Sequence, residues 1–196
     1  ALFILSLVSL VYLIATLYVM FRKKEPYLEK PLSDSELPLV TVQIPTRNEL
    51  VAIRCAEHCL AFDYPKDKYE ILIGDDSDNP VFSGRIAAFA AENSAMVKVL
   101  KRQSNAGYKA GNLNNMLPHS KGEFLVLFDS DFIPQADFLR RVIAPMVHDK
   151  GIAGVQARWK FFNAEQNMVS VLGATIGASV HQVALPFFNK RRRLSI

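Results

Sequence analysis

The sequence predicts an α/β domain built on a mostly parallel sheet with helices on both faces, preceded by one transmembrane helix. Three observations carry that prediction. Ala1 to Phe21 holds no charged residue. Between Leu39 and Phe162, short β-rich runs alternate with stretches of helical spacing. A polar cluster directly follows three of those β-rich runs. Composition agrees: 196 residues, 50% hydrophobic and 21% charged, with 9 Gly and 10 Pro, describe neither a disordered tail nor a fibrous repeat. The length suits one domain and little more. The net charge of +4 is modest, and the cations gather at Arg22-Lys-Lys24 and Lys190-Arg-Arg-Arg193. Both clusters adjoin apolar stretches, which favours a lipid bilayer over nucleic acid as partner. Two cysteines, Cys55 and Cys59, exclude a disulfide-rich secreted fold. A chain that begins without Met and ends in mid-pattern is read as an N-terminal fragment of something longer.

The first element is the apolar stretch 1–21. At about 1.5 Å per residue it reaches roughly 30 Å, the thickness of a bilayer's hydrocarbon core. A secretory signal would carry its basic flank in front and a small-residue cleavage site behind. Here Arg22-Lys-Lys24 follows, and by the positive-inside tendency it places the downstream chain in the cytoplasm. Residues 22–38, with Pro26, Pro31 and Pro38, read as a juxtamembrane linker.

Residues 39–165 form the expected sheet domain. Leu39 to Ile44 is a strand ended by Pro45. Glu49 to Phe62 is a helix with Ala52, Cys55, Ala56 and Cys59 on its buried face. Tyr69 to Gly74 is a strand, Phe82 to Asn93 a helix, Val97 to Lys101 a strand and Ala110 to Leu117 a short helix. Glu123 to Phe128 is an unbroken apolar run, typical of a strand covered on both faces. Gln135 to Val147 is helical despite Pro145, and Ile152 to Phe162 is a further strand candidate. The order implies parallel pairing, and in such sheets ligands collect beyond the carboxyl ends of the strands. Residues 166–196 begin a helical region. Met168 to Phe188 is uncharged and contains Gly173-Ala-Thr-Ile-Gly177. It reads either as a small-xxx-small membrane helix or, better given Ser170, Thr175, Ser179, His181 and Gln182, as a cytoplasmic helix against the sheet or the membrane surface.

The strand-end clusters are the candidate site. Asp129 and Asp131, two residues apart after an apolar strand, can share a hard divalent cation such as Mg²⁺ or Mn²⁺; the bland alternative is a turn, or Asp131 capping the next helix. Asp75 and Asp76 can read the N–H edge of a base or a ribose hydroxyl, or form an Asx turn before Asn79-Pro80. Lys109, between Gly107 and Gly111, can neutralise a diphosphate. No Walker loop and no G-x-G-x-x-G after the first strand are present, which argues against a P-loop NTPase and a dinucleotide dehydrogenase. Cys55, His58 and Cys59 offer at most three ligands and no second cluster, so structural zinc is not expected.

In this order the motifs Val42-Gln-Ile-Pro-Thr-Arg-Asn-Glu49, Asp75-Asp-Ser77, Gly107-Tyr-Lys-Ala-Gly111, Phe128-Asp-Ser-Asp-Phe132 and Val155-Gln-Ala-Arg-Trp-Lys-Phe-Phe-Asn163 resemble the family-two inverting glycosyltransferases with a GT-A fold. Within them the chain looks like the membrane-bound, cellulose-synthase-like branch. The resemblance implies that Thr46, Asn48, Glu49, Asp75, Asp76, Lys109 and Asp129 bind a nucleotide-sugar, UDP-glucose or GDP-mannose. It implies that Asp129 and Asp131 hold Mg²⁺ or Mn²⁺, and that Phe161, Phe162 and Asn163 lie toward a glycan acceptor. The expected activity is hexosyl transfer to a growing β-glycan at a plasma, inner or Golgi membrane. A lipid-acceptor single-sugar transferase and a non-catalytic nucleotide-binding subunit remain as alternatives. The family's general base sits on a later acidic motif followed by Gln-x-x-Arg-Trp. After Asp149 this chain has only Glu165, so the base is expected beyond Ile196 and the fragment alone is expected to bind donor without turnover.

Overall fold

The computed structural model describes residues 2–21, 31–157, 160–162 and 164–184. The chain divides into two units, residues 31–143 and residues 1–30 with 144–196. The basic clusters Arg22–Lys24 and Lys190–Arg193, most of the expected linker, and Asn163 lie outside the described residues.

The first unit is a four-stranded, wholly parallel sheet: β1 (Val40–Thr46), β2 (Tyr69–Asp75), β3 (Val97–Lys101) and β4 (Phe124–Leu127), in the order β3-β2-β1-β4. Helices α2 (Val51–Leu60), α3 (Pro80–Glu92) and α4 (Tyr108–Met116) connect the strands, and α5 (Phe138–His148) follows β4. The parallel α/β architecture expected from the sequence is thus present. β1 is central and buried at all 7 positions, as its unbroken apolar and small polar sequence requires. It runs past Pro45 rather than stopping there. The Phe128 N–H donates to the Gln43 carbonyl and the Asp76 N–H to that of Thr46, so odd positions of β1 face β4 and even positions face β2. Pro45 therefore turns its missing N–H toward β4, whose register with β1 ends at Gln43↔Leu127.

Helix α2 buries Ala52, Cys55, Ala56 and Cys59, the face its spacing predicts. Burial and the adjacent Cys55 push the Cys59 thiol well above the ordinary range, which suits a packing role. Asn79 caps α3 by accepting from the Val81 N–H at 2.9 Å, and Pro80 fills the first turn. Gly74 on β2 lies against Asn112 of α4, whose amide donates to the Gly74 carbonyl at 2.8 Å. A Cβ at Gly74 would collide with that amide, so only glycine lets α4 seat here.

Two expectations are corrected. β4 is not covered on both faces: Leu125 is 40% and Leu127 55% exposed, while Val126 is buried. Among the described residues the strand paired with β4 is β1, at the end of the order. An apolar run reports hydrophobicity but not whether a strand is central. Residues 152–157 and 160–162 form no strand; they carry a single bridge at Val155. Gly151 and Gly154 weaken an extended segment that has no ladder partner among the described residues.

The second unit contains α1 (Leu2–Phe21) and α6 (Met168–Ser179), with a π-helical turn over Val180–Ala184. α1 is a 20-residue helix without a charged side chain. Among the described residues no helix meets the length and hydropathy of a membrane span, and the side chains of Leu2, Leu5 and Val8 lie outside the description. The transmembrane helix expected over residues 1–21 is thus not found as a span among the described residues, although Leu2–Phe21 is helical. Asn167 caps α6 by accepting from the Ser170 N–H at 2.9 Å. No side chain of α6 is buried.

Candidate functional site

The order β3-β2-β1-β4 reverses direction between β1 and β4, and a crevice opens beyond the carboxyl ends of strands at such a point. The loops after all four strands meet there. Two adjoining cavities, of about 400 and 220 Å³, share Arg47, Asp76 and Asn105 in their walls. The smaller is also lined by Thr46, Glu49, Lys109 and Asp129. Five of the seven residues expected at the nucleotide are thus gathered around one groove.

The acidic pair after β2 separates into two roles. β2 extends through Asp75, whose buried carboxylate accepts from the Ser77 N–H at 2.9 Å and from the Ser83 hydroxyl. This is the Asx turn the sequence also allowed. Asp76, one residue on, faces the groove. Its carboxylate takes a two-point grip from Arg102, Nε to Oδ1 at 2.7 Å and Nη2 to Oδ2 at 2.5 Å. That pair is nearly closed to water, with the side chains 13% and 6% exposed. The Asp76 carboxylate raises the affinity of the guanidinium for its proton, mainly through the hydrogen bonds.

Asn48 lines neither cavity. It is spent on tying the β1 loop to the β2 loop: its N–H donates to Ser77 Oγ at 2.8 Å, its amide to Asp78 at 2.5 Å, and its Oδ1 accepts from the Asn79 N–H at 3.2 Å. It adopts φ +54°, a left-handed conformation that asparagine tolerates better than most residues. The amide of Asn48, with Arg47 at 3.2 Å, holds the Asp78 carboxyl below its usual range. Glu49 faces the other way and accepts from the Ser130 hydroxyl at 2.6 Å, joining the β1 and β4 loops.

At the β4 end, Lys109 Nζ contacts Asp129 Oδ1 in a solvent-open pair, with side chains 57% and 37% exposed. Asp131 is exposed and does not line either cavity. It does not cap α5, which starts only at Phe138; the Phe132 N–H closes a turn on the Asp129 carbonyl at 3.1 Å. Among the described residues no three His, Cys, Asp or Glu form a metal cage. A hard cation held by only two carboxylates would keep several positions for water or substrate oxygens. Phe161 and Phe162 are exposed and belong to the second unit.

Sequence reasoning missed Arg102. The rule that found the acidic clusters, polar residues just past a strand end, applies equally to β3, which ends at Lys101.

A parallel sheet whose strand-end segments bring Asp76, Lys109 and Asp129 to one groove is the architecture of a GT-A domain. The likeness to solved structures bears this out. A mannosyltransferase from Pyrobaculum calidifontis, in complex with GDP-Man and Mn²⁺, superposes with a TM-score of 0.64 at 26% identity, over 77% of this chain and 43% of that one. S. aureus TarS shares the fold, with a TM-score of 0.54 at 23% identity over 64% of this chain and 22% of that one. The chain belongs to glycosyl transferase family 2, whose description matches residues 41–194. It is 34% identical over 146 residues to glucomannan 4-beta-mannosyltransferase 1 of Oryza sativa subsp. japonica, and 34% identical over 150 residues to glucomannan 4-beta-mannosyltransferase 2 of Arabidopsis thaliana. These alignments take in 71% and 72% of this chain and 28% of each relative. The cellulose-synthase-like resemblance of the motifs agrees with these relatives.

Proposed function

We propose that the chain is the donor-binding part of a membrane-anchored enzyme that transfers a hexose, with inversion, from a nucleotide-sugar to a growing β-glycan. The observation that carries this reading is the meeting of Asp76, Lys109 and Asp129, from two strand-end loops and the start of α4, on one groove. Between the two donors the sequence allowed, GDP-mannose is favoured, since two relatives are named as mannosyltransferases and a structural neighbour holds GDP-Man.

In this reading Asp76 orients the nucleoside, its carboxylate fixed by Arg102 so that the remaining lone pairs point to the base or ribose. Asp75 and Asn48 act behind it by fixing the loop. Thr46 and Glu49 line the wall, and Lys109 leaves Asp129 to face the diphosphate. Asp129 and Asp131 would hold Mn²⁺ or Mg²⁺, which when bound offsets the charge on the departing nucleoside diphosphate. Inversion needs a carboxylate to take the proton of the attacking hydroxyl, a role this reading assigns to the larger enzyme rather than to residues 1–196. Phe161, Phe162 and Asn163 are proposed for the acceptor side. Helix α1 is proposed to cross the bilayer, because 20 uncharged residues at about 1.5 Å each match a hydrocarbon core of roughly 30 Å. Arg22–Lys24 then orients the sheet domain to the cytoplasm.

Calorimetric titration in detergent tests the donor assignment. GDP-mannose with Mn²⁺ is expected to bind at least tenfold tighter than UDP-glucose; equal affinities would remove the preference, and no binding of either would remove the function.

A further inference from the structure

Arg102 sits at the junction of two parts of the groove, and its guanidinium makes four hydrogen bonds distributed between them. Two grip the Asp76 carboxylate in the plane of the guanidinium. Nη1 donates to the Ala106 carbonyl at 2.6 Å and Nη2 to that of Tyr108 at 2.9 Å. Those two carbonyls bracket a corner in which Gly107 has φ +72° and Tyr108 φ +47°. A left-handed glycine is ordinary, but a left-handed tyrosine persists only where its surroundings hold it. Lys109 is the next residue. A Cβ at Gly111 would collide with the Ala106 carbonyl and with Arg102 Nη1, so the first turn of α4 is packed directly on this clamp.

We propose that Arg102 is a positioning residue that couples the nucleoside end of the donor site to the diphosphate end. It sets the plane of the Asp76 carboxylate, and through two main-chain carbonyls it sets the corner from which Lys109 reaches the phosphates. Lysine cannot replace it, because an ammonium lacks the planar fork needed for a carboxylate and two carbonyls together. The inference rests on the nucleotide-sugar reading of the groove.

The test uses the full chain in detergent with Mn²⁺, GDP and inorganic pyrophosphate as probes, and Arg102→Lys, Lys109→Gln and the double variant. Arg102→Lys is expected to weaken GDP at least tenfold and pyrophosphate several-fold, with far-ultraviolet circular dichroism unchanged. In the Lys109→Gln background its effect on pyrophosphate is expected to vanish, since the lysine it positions is gone. A merely structural arginine would give additive losses instead. Gly111→Ala, which displaces the same corner without changing charge, should reproduce the pyrophosphate loss, and serves alone if Arg102→Lys does not fold. GDP binding within twofold of wild type in both variants, or full additivity with Lys109→Gln, overturns the inference while leaving the function standing. Wild-type chain that binds neither probe overturns both.

Discussion

The two ends of the groove contain the same kind of pair, a cation against an aspartate, in opposite states. At the β2–β3 end Arg102 and Asp76 are 13% and 6% exposed and joined at two points. At the β4 end Lys109 and Asp129 are 57% and 37% exposed and joined at one. A buried two-point pair loses heavily if either partner is removed, because the survivor is left desolvated and unpaired. An exposed one-point pair is worth little and exchanges partners readily. The comparison separates an end fixed before any ligand arrives, proposed above for the nucleoside, from an end free to rearrange around one, proposed for the diphosphate.

The contrast can be broken most severely at the closed end. Asp76→Ala leaves the Arg102 guanidinium without its two-point partner and is expected to cost about 1–3 kcal/mol of folding stability, measured by urea denaturation; a cost near that of an ordinary surface change would show the pair to be solvated. Asp131→Ala has an effect of similar size and of a different kind. Affinity for GDP with Mn²⁺ should fall about a hundredfold, some 2.7 kcal/mol, while the urea midpoint stays put. Unchanged affinity would remove Asp131 from the site. Lys109→Gln should lower GDP affinity about tenfold, or 1.4 kcal/mol, and shift stability by less than about 0.5 kcal/mol. A stability loss as large as that of Asp76→Ala would erase the distinction between the two ends.

The smallest expected effect concerns Asp78. Its carboxyl is held low by the Asn48 amide and then by Arg47. A depressed carboxyl contributes stability that is present above its unfolded value, about 3.9, and is lost as pH falls through the folded value. Carbon-detected titration of Asp78 should therefore give a midpoint below the usual range in wild type, moving up in Asn48→Ala. An identical midpoint in the variant would deny the loop-to-loop tie.

What the sequence made legible follows from local rules, and what it hid follows from pairing. Parallel β-α alternation and the strand-end rule locate Asp76 and Asp129, and Gly107 and Gly111 mark Lys109, without any coordinates. They do not separate Asp75 from Asp76. Successive residues of a strand face opposite sides, so that choice depends on whether β2 ends at Gly74 or Asp75, the least reliable feature of any strand read from sequence. Pro45 reads as a stop, yet it is accommodated because its missing N–H faces the end of the β4 ladder. The apolar run of β4 looks central, but the sheet order puts it at the end, and Leu125 and Leu127 on one of its faces are exposed. Arg102 follows β3 without a motif of its own. Its partners, Asp76 and two carbonyls, are 4 to 26 residues away.

The contact of Gly74 with Asn112 has an evolutionary consequence. The missing side chain at one position is the space occupied by the amide at the other, across 38 residues of sequence. The two sites therefore constrain each other's drift. Bulk gained at 74 would displace the Asn112 amide, and with it a hydrogen bond that seats α4, the helix that carries Lys109.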